Sequence, residues 1–194
     1  MPESAIQNLG PCLLIAMPQL QDPNFTQTTT LLSEFNQDGA LGFILNRPLN
    51  VQLSEHLEAE LAPGDPSLLE GVQAYWGGPV QADRGFVLHE DPGLASESVQ
   101  IAPQLYMSGS TQVLMNLARR KNDPTSSRFK LFLGYAGWGP KQLETEISQT
   151  TWITAPIDRE LTFSDQTDDL WQQSFKSLGV DPNKLAMTPQ DFAN

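Results

Sequence analysis

Short apolar runs alternate with turn-forming clusters along this chain, and in four places the apolar residues move to helical spacing. Cys12-Leu13-Leu14-Ile15-Ala16-Met17 is an unbroken apolar run, which predicts a buried first strand over 12–17. Gln21-Asp22-Pro23-Asn24 follows as a turn. Thr28 to Phe35 reads as a second strand and Ala40 to Asn46 as a third, joined through Asn36-Gln37-Asp38-Gly39. These two strands should form an antiparallel hairpin, and Pro48, which cannot donate to a ladder, should end it. Leu53, Leu57 and Leu61 with Glu55, Glu58 and Glu60 between them predict a short amphipathic helix. Pro63-Gly64-Asp65-Pro66 stops it, and residues 72–76, 85–89 and 98–101 read as further strands.

A second helix is expected over Thr111–Lys121, with Ser110 as N-cap and Val113, Leu114, Leu117 and Ala118 inward. Residues 128–149 then predict a buried strand, a glycine turn (Gly134, Gly137, Gly139) holding Trp138, which must bury elsewhere or line a pocket, and a third helix. Pro140 suits that helix's first position. Its free amides are expected to receive a carboxylate or phosphate. Trp152–Ala155 reads as the last strand of the main sheet. A fourth helix, capped by Asp165 or Thr167, carries Leu170, Trp171, Ser174, Phe175 and Leu178 inward and ends at Gly179 and Pro182. Strands early and helices late argue for an α+β fold rather than a doubly wound sheet. The expected organisation is a single domain over 1–180 and a C-terminal tail over 181–194.

Composition narrows the function classes. The chain has 194 residues, enough for a substantial core, and no apolar run of membrane-spanning length. Its first ten residues lack the charge and apolar segment of a signal peptide, and one cysteine rules out an internal disulfide. A cytoplasmic location is the default expectation. Cys12 reads as a buried, inert thiol. Net charge is −12, and thirteen acidic but only two basic residues, Arg47 and Arg84, precede Arg119. So acidic a surface repels DNA and anionic lipid. The basic cluster Arg119, Arg120, Lys121, Arg128 and Lys130 reads as a solvated helix end in preference to a nucleic-acid patch.

Five segments in order carry a family resemblance: Leu14-Ile15-Ala16-Met17-Pro18 with Asp22-Pro23-Asn24-Phe25, Gly39 to Pro48 ending in Asn46-Arg47-Pro48, Trp76-Gly77-Gly78-Pro79-Val80, Arg84-Gly85-Phe86-Val87-Leu88-His89, and Gly134 to Ile147. Together they resemble the bacterial YqgE/AlgH family from about Leu13 to Leu178. The resemblance implies a compact α+β domain with a bifurcated, mostly antiparallel, barrel-like sheet and about four surrounding helices. The family is largely uncharacterised, and its AlgH branch bears the label of a transcriptional regulator although no DNA-binding element is visible here. Lys141 departs from the pattern, standing where a small residue, usually Gly, is expected.

The candidate chemistry is sparse. His89 is read either as a proton shuttle or as a structural imidazole, whereas His56 is explained by exposure on a Glu-rich face. Any anion site in the first 118 residues must use Arg47 or Arg84. Gln142 and Glu146 share a helix face beside Leu143 and Ile147. The sequence holds no Gly-x-Ser-x-Gly elbow, dinucleotide fingerprint, phosphate loop, zinc-ligand spacing or EF-hand.

These features lead to an expected non-catalytic binding protein, without cofactor or metal, that acts indirectly on gene expression. Its partner would be a small anionic ligand or a protein, not nucleic acid or membrane, with the oligomeric state open. Asn46, Arg47, His89, Trp138, Gly139, Lys141 and Gln142 are the expected binding residues. The alternative is an enzyme using acid–base chemistry, His89 working with Glu146 or Asp22 across the same cleft. A third expectation, direct DNA regulation, would run through the Arg119–Lys130 cluster.

Overall fold

The structure is a computed structural model and describes residues 9–51, 53 and 66–185. The helix expected over Leu53–Leu61, His56 with it, and the tail beyond Leu185 lie outside these residues, Leu53 alone excepted. The protein is α+β. The described residues group into two compact units. One takes the chain up to Asn46 and again from Ala136, and the other runs from Arg47 to Tyr135.

In the first unit, β1 (Cys12–Ala16) lies between β2 (Thr29–Asn36) and β9 (Trp152–Ala155), and β2 pairs with β3 (Gly39–Ile44). All of these pairings are antiparallel. The unbroken apolar run of β1 follows from its central place, since all five residues are buried. The predicted hairpin forms, with Asn36 opposite Gly39 and Asp38 N–H donating to Asn36 Oδ1 at 2.8 Å. One face carries Leu14, Leu32, Ala136 and Trp138, covered by the helix Gln142–Ser148 through Leu143 and Ile147. Against β1 and β2 packs the helix Leu170–Ser177. Trp171 Nε1–H donates to Ala16 O at 2.8 Å, and the Thr29 and Ser174 hydroxyls meet at 2.9 Å. Gly179, at φ +70°, ends this helix: its N–H donates to Lys176 O while Val180 N–H reaches Phe175 O. The helix starts at Leu170 after Asp169, not at a cap by Asp165 or Thr167.

The second unit is built on β4 (Ala74–Trp76), β5 (Val80–His89), β6 (Val99–Ala102), β7 (Leu105–Ser108) and the first part of β8 (Phe129–Trp138). β8 takes β5 antiparallel and β4 parallel, the one parallel pair among the described residues. β7 follows β6 through a tight turn at Gln104, and was not read from the sequence. The helix Thr111–Arg119 covers this sheet with Val113, Leu114, Leu117 and Ala118, as its spacing predicts. Ser110 caps it, its Oγ accepting from Val113 N–H at 3.4 Å.

The glycine segment differs from expectation. Gly134 and Gly137 lie inside β8, which runs on to Trp138. A turn over Gly139–Gln142 follows, closed by Gln142 N–H to Gly139 O at 3.0 Å, with Lys141 at φ +60°. Pro140 therefore sits in the turn, ahead of a helix only seven residues long. Gly134 is required by its surroundings: at φ +71°, a Cβ there would lie 2.5 Å from Gly78 O.

Candidate functional site

In the first unit three of the sequence-predicted residues, Trp138, Gly139 and Gln142, meet around the Glu146 carboxylate. Trp138 and Trp152 each donate an indole N–H to Glu146 Oε2, at 3.0 and 2.8 Å. Gln142 Nε2–H donates to Glu146 Oε1 at 2.8 Å, and Gln142 Oε1 accepts from Gly139 N–H at 3.0 Å. Phe25 stacks on Trp138 at 6.0 Å between ring centres and meets Trp152 edge-on at 5.6 Å. Of the two outcomes open to Trp138, burial or lining a pocket, the structure shows burial, because Phe25 and Trp152 supply packing that its glycine neighbours cannot. Asn46 is buried as well. Its Oδ1 accepts from Thr29 N–H at 3.0 Å, and its Nδ2–H donates to Gln27 O at 2.9 Å, tying the end of β3 to the start of β2. Lys141 is exposed and supplies no side-chain cap.

Arg47 and His89 belong to the second unit. The Arg47 carbonyl accepts from Trp76 N–H at 2.7 Å. His89 is fully buried and stacks on Tyr106 at 5.4 Å. Its Nδ1 accepts from Asp91 N–H at 3.2 Å, and Nε2 lies 2.8 Å from Ser98 Oγ. Ser98 gives its own proton to Leu94 O at 2.9 Å, so the Ser98 oxygen receives a proton from Nε2 and the imidazole is neutral. Burial holds the His89 pKa below its usual range, opposed by the nearby Asp91 charge. Both ring nitrogens are thus engaged structurally.

The basic cluster is engaged too. Arg120 pairs with Asp91 and Arg128 with Glu90. Lys121 donates to Leu68 O, and Lys130, in the strand read as buried, lies with Nζ 4.1 Å from the Tyr75 ring centre. Burial pushes the Cys12 thiol up to about 12, which makes it the inert group expected.

A different group of residues surrounds open space. A pocket of about 230 Å³ in the second unit is floored by Val87, Leu114, Leu131 and Leu133, with Arg84, Ser110 and Thr111 at its more exposed side. A bulge positions the arginine. Val80 pairs with Tyr135, yet Gly85 already pairs with Leu133, so the residues between loop out of the β5–β8 ladder. Gln81, at φ +49°, starts that excursion and Arg84 ends it. The guanidinium lies 5.3 Å from the centre of the Phe86 ring and makes only a long 3.5 Å bond to Gln81 Oε1. It has no ion pair among the described residues and is the one charged side chain on the pocket wall. Opposite stands the start of the Thr111–Arg119 helix, whose first N–H groups have no intrahelical acceptor. Ser110 Oγ uses its lone pair on Val113 N–H, which leaves the hydroxyl proton to donate.

Residues 13–183 match the sequence model of the AlgH-like family, DUF179. The chain belongs to the AlgH-like family. A UPF0301 protein of Hahella chejuensis is 39% identical over 94% of this chain and 96% of its own length. The solution structure of the AlgH protein from Pseudomonas aeruginosa superposes with a TM-score of 0.73 at 38% identity, covering 91% of this chain and 93% of that one. A crystal structure from Corynebacterium diphtheriae, at 19% identity and a TM-score of 0.70, shares the fold.

For this AlgH-like chain, sequence reasoning reached Arg84 only as one of two available cations. It missed Ser110 as more than a cap, and missed the leucine floor altogether. The signal was present in part: a lone arginine beside a glycine, in a strand otherwise apolar towards its end. Among the described residues no helix is long and apolar enough to cross a membrane, and no group of three or more His, Cys, Asp or Glu could hold a metal.

Proposed function

We propose that this AlgH-like protein is a cytoplasmic, non-catalytic binding protein for a small organic anion, held in the Arg84 pocket. The observation that carries the reading is the guanidinium without an ion pair, set on the wall of an open, otherwise uncharged pocket. Arg120 and Arg128 spend their charge on Asp91 and Glu90, whereas the Arg84 guanidinium keeps its charge for a ligand. The start of the Thr111–Arg119 helix adds a favourable potential for an anion at the same place. Influence on gene expression, in this reading, passes through the ligand-bound state rather than through duplex contact.

The residues around Trp138, Gln142 and Glu146 act here as a structural lock, since their polar atoms bond to one another. The acid–base alternative asks His89 to exchange a proton with substrate, whereas its two nitrogens are engaged by Asp91 and Ser98. The experiment is a titration of the full chain with benzoate and with benzyl alcohol, followed by chemical shifts of residues 84–87 and 109–114. Benzoate should bind, at least tenfold more weakly to Arg84→Gln. Equal affinity for benzyl alcohol, or no effect of the substitution, would refute the reading.

A further inference from the structure

We propose that the Arg84 pocket selects a monocarboxylate with a short apolar tail, the carboxylate at Arg84 and Ser110 and the tail lying inward past Gly85. This rests on the anion-binding reading and adds what the rest of the ligand is. The wall divides by chemistry. Arg84, Gly109, Ser110 and Thr111 occupy its more exposed part, while Val87, Leu114, Leu131 and Leu133 are all buried. A hydrated inorganic anion gains nothing from four aliphatic side chains, whereas each methylene placed on them leaves water.

The head must be modest in charge. One guanidinium faces the pocket, and a chain of net charge −12 opposes a second negative charge on the ligand. A planar carboxylate suits the paired N–H groups of arginine, with the Ser110 hydroxyl as a further donor. Size follows from the space. At about 230 Å³ the pocket exceeds the 150 Å³ or so of a cavity that holds benzene, which leaves room for a tail of roughly six carbons.

Gly85 keeps that space open. A Cβ built there meets only Leu131 Cδ1, at an ordinary 3.8 Å, and the backbone carries no left-handed strain. A larger side chain at this position would enter the pocket without disturbing β5. Gly85→Val is therefore a plug, and a test of the tail that does not depend on Arg84.

The experiment is calorimetric titration of the full chain with acetate, butyrate, hexanoate, hexan-1-ol and inorganic phosphate, repeated on Gly85→Val and Arg84→Gln after melting curves establish that both fold. From acetate to hexanoate, each added methylene should tighten binding about threefold to fourfold. Phosphate should bind no better than acetate. Gly85→Val should remove the gain from the tail, so that hexanoate binds no better than acetate, and Arg84→Gln should weaken hexanoate at least tenfold. If anions bind through Arg84 with no dependence on chain length, or Gly85→Val binds hexanoate like the native protein, the tail is refuted while the anion reading stands. If hexan-1-ol equals hexanoate, or nothing binds, both fall.

Discussion

Asp91 N–H donates to Nδ1 of His89, fixing the imidazole as a buried acceptor. The Asp91 carboxylate meanwhile caps the turn Pro92–Glu97 through Gly93 N–H at 2.8 Å and pairs with Arg120, just past the end of the Thr111–Arg119 helix. The tripeptide His89–Asp91 thus ties β5, the turn after it and that helix together. A proton on Nδ1 would remove the acceptor, so the fold depends on a neutral ring.

The sign of the pH dependence follows. Burial holds the folded His89 pKa below its ordinary 6.5, so near that pH the unfolded chain binds the proton more readily. Stability should be complete above pH 6.5 and fall as pH drops from there towards the folded pKa. Burial also works against the Asp91 carboxylate, but Gly93 N–H and Arg120 outweigh it and hold its pKa below 3.8, which adds a second loss at lower pH. Urea unfolding between pH 8 and 5 checks this. His89→Gln should be less stable throughout yet lack the decline across that range, and an unchanged decline would remove His89 as its source.

Glu146 is the acceptor for two indoles, and truncating it isolates both. Leaving a buried donor without an acceptor costs about 1–3 kcal/mol. Glu146→Leu should therefore lower stability by about 3 kcal/mol, and Glu146→Gln, which keeps one carbonyl oxygen, by about half as much. Denaturant unfolding followed by tryptophan emission measures both. Equal losses for the two variants would show that the charge, not the acceptor, matters.

Much of the first unit, and the helix Thr111–Arg119 of the second, is legible in the sequence because the signals are local. The apolar run of β1, the hairpin through Asn36–Gly39, the Ser110 cap and the Gly179 stop each depend on neighbours a few residues away. What escaped depends on distant ones. Gly134 lies within a strand because Gly78 and Val80 come close to it, and Trp138 is buried because Phe25 and Trp152 reach it. The Arg84 pocket escaped for the same reason. A bulge is a mismatch between two strands, visible only when β5 and β8 are set side by side.

Thr30 carries an opposite prediction. It is fully buried in β2, and its Oγ1 has no hydrogen-bond partner. A desolvated hydroxyl without a partner is a standing cost, and valine has nearly the same shape without it. Thr30→Val should raise stability by about 1 kcal/mol, seen as a higher urea midpoint with an unchanged slope. A loss would mean the hydroxyl has an acceptor in solution.

Lys141 joins sequence and structure at the position where the family resemblance led us to expect a glycine. It sits at φ +60°, ψ 4° in the turn closed by Gln142 N–H on Gly139 O. A left-handed backbone costs a residue with a Cβ about 1–2 kcal/mol, and glycine avoids that cost. Glycine has more freedom to lose on folding, about 0.5–1 kcal/mol, so the two terms largely offset. The Lys141 side chain makes no capping bond that would be missed. Lys141→Gly should then leave stability equal or up to about 1 kcal/mol higher. Lys141→Val, β-branched in the same conformation, should lose about 1–2 kcal/mol or more. Thermal unfolding of the pair decides the matter: a glycine variant less stable than the valine one would show that the turn is not held left-handed.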